Sequence, residues 1–173
     1  VCNNDAAYLL TRYSYVSDET NTAVRFKFRS NQKLIFDIIS KIEAENAAIQ
    51  LLIAKARQQY ITTLIQQLVV HRVTFYRDVN SITASADRDK SSEMMRKAFF
   101  TYDHMPWWLK PKYSRRIEGV PGLLEFDSLD SRMTILHGSG MARAKGAQRG
   151  GIARGTTPTV AHLSECASFP APE

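Results

Sequence analysis

At 173 residues, with 44% hydrophobic and 23% charged residues, the chain is long and apolar enough for one domain with a real core. Its net charge of +6 fits an acidic partner such as nucleic acid without requiring one. No apolar run approaches the ~20 residues that span a bilayer, and the N-terminal "VCNNDAAYLLTRYSYVSDE" lacks the basic-then-apolar order of a secretory signal. The chain has two cysteines, Cys2 and Cys166, and four scattered histidines, His71, His104, His137 and His162. They make neither a disulfide framework nor a zinc spacing, so a reducing, cytosolic setting is the default.

Residues 1–30 are polar and irregular and read as an N-terminal arm; the absence of an initiator Met points to residues missing upstream. "SNQKLIFDIISKIEAENA" reads as a helix capped by Ser30 or Asn31, with Leu34, Ile35, Ile38, Ile39 and Ile42 on one apolar face. "IQLLIA" has the form of a short strand buried on both faces. "ITTLIQQLVVH" follows as a helix with Thr62 or Thr63 near its start. "VNSITAS" alternates like a strand. "ADRDKSSEMMRKAFFTYDHM" is a helix with Asp87 near its N-terminus and Met94, Met95, Ala98, Phe99 and Tyr102 on its core face; "PWWLKP" ends it.

"GLLEFDS" and "SRMTILHG" read as strands joined by the turn "DSLDS", and "TPTVAHLSE" as a last buried strand. The alternation of helix and strand argues an α/β domain with a largely parallel sheet. Between the last strands lies "HGSGMARAKGAQRGGIARGTT", with six of the eight glycines and the cations Arg143, Lys145, Arg149 and Arg154. Its composition reads as a basic loop, either a solvated surface loop or a contact for phosphates of DNA or of a neighbouring subunit's nucleotide. Trp107 and Trp108 read as packing and interface residues rather than a stacking platform for bases.

Strand, polar loop, then helix is the layout of a phosphate-binding loop, yet "KARQQYITT" matches the general glycine-lysine pattern poorly. It resembles instead the deviant Walker A segment of phage large terminases, where the lysine has moved to the front of the loop. Lys55, Arg57, Gln58, Thr62 and Thr63 carry that match. "ITASADRDKSSEMMRKAFFTYDHMPWWLKP" is similar to the family's next strand and helix, and "LLEFDSLDSRMTILHGSG" to its hairpin. "ARGTTPTVAHLSECASF" is similar to its run into Walker B, with "HLSE" for apolar–Asp–Glu. The resemblance covers about residues 30–170.

The resemblance implies a P-loop NTPase-like sheet flanked by helices, with residues 31–173 a partial ATPase domain incomplete at its C-terminal end. The strand that the family places between Walker A and Walker B, the ATP-coupling motif and the nuclease domain would lie outside the chain. It implies ATP and Mg2+ as cofactors. Lys55, Arg57 and Gln58 would meet the phosphates, Thr62 and Ser164 the metal, and Thr63 the anion site at the helix start. Glu165 would orient the attacking water, Gln32 would recognise adenine, and Arg154, or Arg149 or Arg143 in its place, would reach the next subunit's ATP. Arg143, Lys145 and Arg149 would contact DNA or a subunit.

The implied activity is ATP-driven translocation of double-stranded DNA into a capsid. It would involve a portal, a small terminase subunit and a homo-oligomeric ring in the bacterial cytoplasm, with no membrane. The alternative is a truncated or degenerate prophage remnant that binds nucleic acid without catalysis. Tyr60 stands where the family has glycine and Ser164 where most Walker B boxes have aspartate. A left-handed Tyr60 would cost about 1–2 kcal/mol. One charge-assisted hydrogen bond to phosphate returns roughly 1.5–3 kcal/mol, so Tyr60 weakens binding without forbidding it; crowding by its ring is the greater obstacle.

Overall fold

A computed structural model describes residues 5–17, 20, 22–54, 59–119, 121–137 and 157–165. The segment read as an irregular arm contains a helix and a hairpin. Asp5 accepts the Tyr8 amide at 2.8 Å and starts helix α1 (Ala6–Tyr13). Strands β1 (Tyr15–Ser17) and β2 (Ala23–Arg25) then form an antiparallel hairpin. Leu10 and Phe26 join Phe36 and Leu64 in a small apolar cluster. A polar tie adds to it: Gln67 accepts from the Ser14 hydroxyl and donates to Thr101 Oγ1 at 2.6 Å and to the Tyr15 carbonyl at 3.3 Å. The arm is held by contacts more than 30 residues away, which local periodicity does not reveal.

Helix α2 (Ser30–Ala44) forms, but its N-cap is Arg29 rather than Ser30 or Asn31, and its inward face differs. Gln32 and Phe36, four residues apart, are buried, whereas Leu34 is 63% and Ile38 41% exposed. The expected strand "IQLLIA" is absent: residues 49–54 belong to no helix or strand, and Leu52 is 94% exposed. A short apolar run becomes a strand only when another strand satisfies its backbone. Among the described residues none lies alongside it.

Helix α3 (Ile61–Phe75), strand β3 (Asn80–Ser85), helix α4 (Arg88–Asp103) and strands β4 (Arg115–Ile117), β5 (Gly122–Phe126), β6 (Ser131–His137) and β7 (Val160–Ser164) complete the fold. Asp87 caps α4 by accepting the Asp89 amide at 3.0 Å. Met94, Met95, Ala98, Phe99 and Tyr102 are all buried, as their spacing predicts. The expected hairpin is β5–β6, joined by a 3-10 turn (Asp127–Leu129) and a left-handed Asp130 with φ 50°.

The sheet order is β4-β5-β6-β3-β7. It is mixed: β6, β3 and β7 run parallel, while β4, β5 and β6 are antiparallel neighbours. β4, in the basic "SRRI" run, carries no alternating apolar pattern and was not expected. β7 is a strand but not a buried one. It pairs with β3 alone among the described strands, and Leu163 is 50% exposed.

Helices α3 and α4 pack on each other and on β6. The main core gathers Val69, Val70 and Val73 of α3, Met95, Ala98, Phe99 and Tyr102 of α4, and Leu124, Phe126, Met133 and Ile135 of the sheet. Burial pushes the Tyr102 phenol from 10.0 up to about 12, and its hydroxyl donates to the Pro111 carbonyl. The folded state therefore favours the neutral phenol. That contribution is complete below the unfolded value of 10.0 and is lost as pH rises through about 12. Urea midpoints measured across this range are expected to fall, and Tyr102→Phe should flatten the fall. An unchanged slope in the variant would assign the alkaline loss to other groups.

Candidate functional site

In an open sheet with parallel strands, ligands meet the carboxyl ends of those strands. Three strands end level here. Register pairs Ser85 of β3 with His137 of β6 on one side and with Ser164 of β7 on the other. Alternation puts the three side chains on one face, with Ser81 and Thr83 behind Ser85. Ser85 is fully buried, and its Oγ has no hydrogen-bond partner among the described residues.

Helix α3 delivers its N-terminus to this end. Its last turn sits at the opposite end of the sheet, where Ser131, the first residue of β6, donates to the Tyr76 carbonyl at 2.8 Å. Midway along, Gln66 Nε2 lies 2.9 Å from His162 Nδ1 and 3.4 Å from Thr83 Oγ1, tying α3 to β7 and β3. The helix therefore runs against the parallel strands. Ile61, Thr62 and Thr63 open it beside their carboxyl ends.

This first turn suits an anion. No side chain caps it, because its N-cap residue is Tyr60. The leading amides of a helix carry partial positive charge and have no intrahelical acceptor. Thr63 is buried and Thr62 half-buried. Tyr60 is left-handed, φ 55° and ψ 17°, a conformation that favours glycine. The Arg29 guanidinium lies over its ring, 3.8 Å from the centroid.

Glu165 directly follows β7, exposed, and is also left-handed at φ 58°. Gln32 is buried in the first turn of α2 and bonds to the Tyr60 carbonyl. The structure thus places Thr62, Thr63, Ser164 and Glu165 at the same end of the sheet, with Gln32 behind the turn that leads into α3. Lys55, Arg57, Gln58, Arg143, Lys145, Arg149 and Arg154 lie outside the described residues.

Among the described residues no three His, Cys, Asp or Glu gather as a metal site. A hard divalent cation would draw on hydroxyl and carboxylate oxygens, which Thr62, Ser164 and Glu165 supply in type, and on phosphates of a nucleotide. Site residues not anticipated from sequence are Arg29, Asn31, Gln66, Ser85 and His162. The polar Ser81-Thr83-Ser85 series inside a buried strand was the legible signal for Ser85; nothing local marked the others. A cleft lined by Asp78, Asn80, Glu125, Asp127, Asp130 and Arg132 lies at the opposite end of the strands.

The fold and this strand-end geometry define an α/β protein in which a helix N-terminus meets the carboxyl ends of three parallel strands. The large terminase of bacteriophage HK97 has a similar fold: the TM-score is 0.67 at 13% identity, and the alignment covers 93% of this chain. It covers 30% of the terminase chain, so this chain spans under a third of that protein's length. No family model matches the chain, and no curated protein matches it in sequence.

Proposed function

We propose that the chain is the ATP-hydrolysing portion of a phage DNA-packaging motor. The observation that carries this reading is the terminase-like fold over 93% of the chain, with the uncapped α3 N-terminus at the carboxyl ends of its parallel strands. The amides of the first α3 turn bind phosphate oxygens, and Thr63 adds a hydroxyl. Lys55, Arg57 and Gln58 supply side-chain donors from the preceding loop. Thr62 and Ser164 hold magnesium through neutral oxygens. Ser164 brings no charge, so affinity for the metal leans on the nucleotide. When bound with ATP, the ion neutralises phosphate charge. Glu165 accepts a proton from, and orients, the attacking water.

Arg154 reaches the nucleotide of the next subunit in a homo-oligomeric ring, and Arg143, Lys145 and Arg149 contact DNA or that subunit. Double-stranded DNA, a portal and a small terminase subunit are the partners, in the cytoplasm of a bacterial host. No helix among the described residues is long and apolar enough to cross a membrane.

Titration of Mg-ATP and a non-hydrolysable analogue is the test. Saturable binding is expected. Lys55→Ala should weaken it by about tenfold or more, the loss of one charge-assisted contact of roughly 1.5–3 kcal/mol. Tyr60→Gly should tighten it, because glycine lets the backbone approach phosphate closely. Absence of binding together with salt-sensitive DNA binding would instead establish a remnant with nucleic-acid affinity and no catalysis.

A further inference from the structure

The first turn of α2 grips the two residues that lead into α3. Gln32 Nε2 donates to the Tyr60 carbonyl at 2.8 Å, and its Oε1 accepts the Arg29 amide at 3.0 Å. Asn31 Nδ2 donates to the Gln59 carbonyl at 3.0 Å and to Gln59 Oε1 at 2.6 Å, while Asn31 Oδ1 accepts the Gln32 amide at 2.9 Å. Arg29 covers the Tyr60 ring. Three polar anchors, Arg29, Asn31 and Gln32, therefore converge on the dipeptide Gln59–Tyr60, which contains the left-handed residue.

Gln32 is only 2% exposed, and both ends of its amide are engaged within the chain. Reading the edge of a base would require it to abandon both bonds inside a buried site, leaving the Tyr60 carbonyl and the Arg29 amide to find other partners. The Tyr60 carbonyl also accepts the Leu64 amide at 3.2 Å, the first hydrogen bond of the α3 ladder. The bond from Gln32 thus fixes the acceptor on which the helix start is built.

We propose that Gln32, with Asn31 and Arg29, is a positioning residue: it holds Tyr60 left-handed so that the first amides of α3 face phosphate, and it does not read the nucleobase. This rests on the nucleotide-binding reading above. In this chain the α2 anchors do the work that a glycine's conformational freedom does in an ordinary phosphate loop.

The experiment compares Mg-ATP, Mg-GTP and inorganic tripolyphosphate on the parent protein, on Gln32→Glu, and on Gln32→Glu combined with Tyr60→Gly. The carboxylate keeps the bond to the Arg29 amide and faces the Tyr60 carbonyl without a donor. All three ligands should weaken by one common factor of about tenfold, the equivalent of one lost hydrogen bond. The factor should shrink to about twofold in the glycine background, where the turn needs no enforcement. A purely structural role would lower the urea midpoint and leave the affinity of folded protein unchanged. Weakening confined to ATP, with tripolyphosphate unaffected, would make Gln32 a base reader and overturn the proposal, as would an equal loss in both backgrounds.

Should Gln32→Glu not fold, Asn31→Ala replaces it and should show the same common-factor pattern; a nucleotide-selective loss there also overturns the proposal. If the parent binds none of the three ligands, the nucleotide-binding reading fails, and hydrogen exchange then decides the clamp. The Leu64 amide should exchange about tenfold faster in Gln32→Glu, and an unchanged rate overturns the clamp too.

Discussion

Glu165→Gln is expected to lower ATP turnover by about 10²–10⁴-fold, the range for removing a positioned general base, while leaving Mg-ATP affinity within about twofold. The substitution keeps the shape and hydrogen-bonding reach of the side chain and removes its capacity to take a proton. Glu165 follows the last residue of β7, beside the strand ends and the α3 N-terminus, and its left-handed backbone turns the chain there. The β7 strand is set against α3 by the Gln66–His162 contact, so the carboxylate's place follows from the sheet rather than from a free loop. Phosphate release under single-turnover conditions, with and without double-stranded DNA, measures the chemical step apart from product release. Turnover unchanged in the variant would remove Glu165 from this role.

Phe126→Ala carries the largest expected loss of stability, about 3–5 kcal/mol. Phe126 ends β5 with no exposed surface, and its ring centroid lies 5.5 Å from that of Tyr102 on α4. It sits in the cluster that α3, α4 and the sheet share, so truncation leaves a cavity between layers that cannot close without moving a helix. The urea midpoint should fall with the slope unchanged. A loss under about 1 kcal/mol would mean that the antiparallel half of the sheet does not unfold with the rest.

The elements with strong internal periodicity were legible in the sequence. α4 buries the five residues that its spacing selected, and β5–β6 forms the hairpin that its turn residues marked. Thr62 and Thr63 stand at the start of α3 as read. The α/β class followed from the order of these elements, and the terminase resemblance from motifs in the right sequence; the fold agrees with both.

Elsewhere the sequence was ambiguous because the deciding partner is distant. α2 carries apolar residues on more than one side, and packing against α3 chose Gln32 and Phe36 over Leu34 and Ile38. "IQLLIA" has a strand's composition, but composition supplies no neighbour for its backbone, and none is present among the described residues. The antiparallel β4 at the sheet edge was not legible, because pairing is set by connections and neighbours rather than by composition.

The candidate site divides the same way. The resemblance to phage large terminases, rather than residue type alone, named Thr62, Ser164 and Glu165. The grip of Asn31 and Gln32 on residues 59 and 60 and the contact of Gln66 with His162, 96 positions apart, were decided only by the tertiary structure. Sequence by itself determines periodicity, capping and turn chemistry, which act within a few residues. Which polar groups satisfy one another across the core depends on where the packed layers bring them.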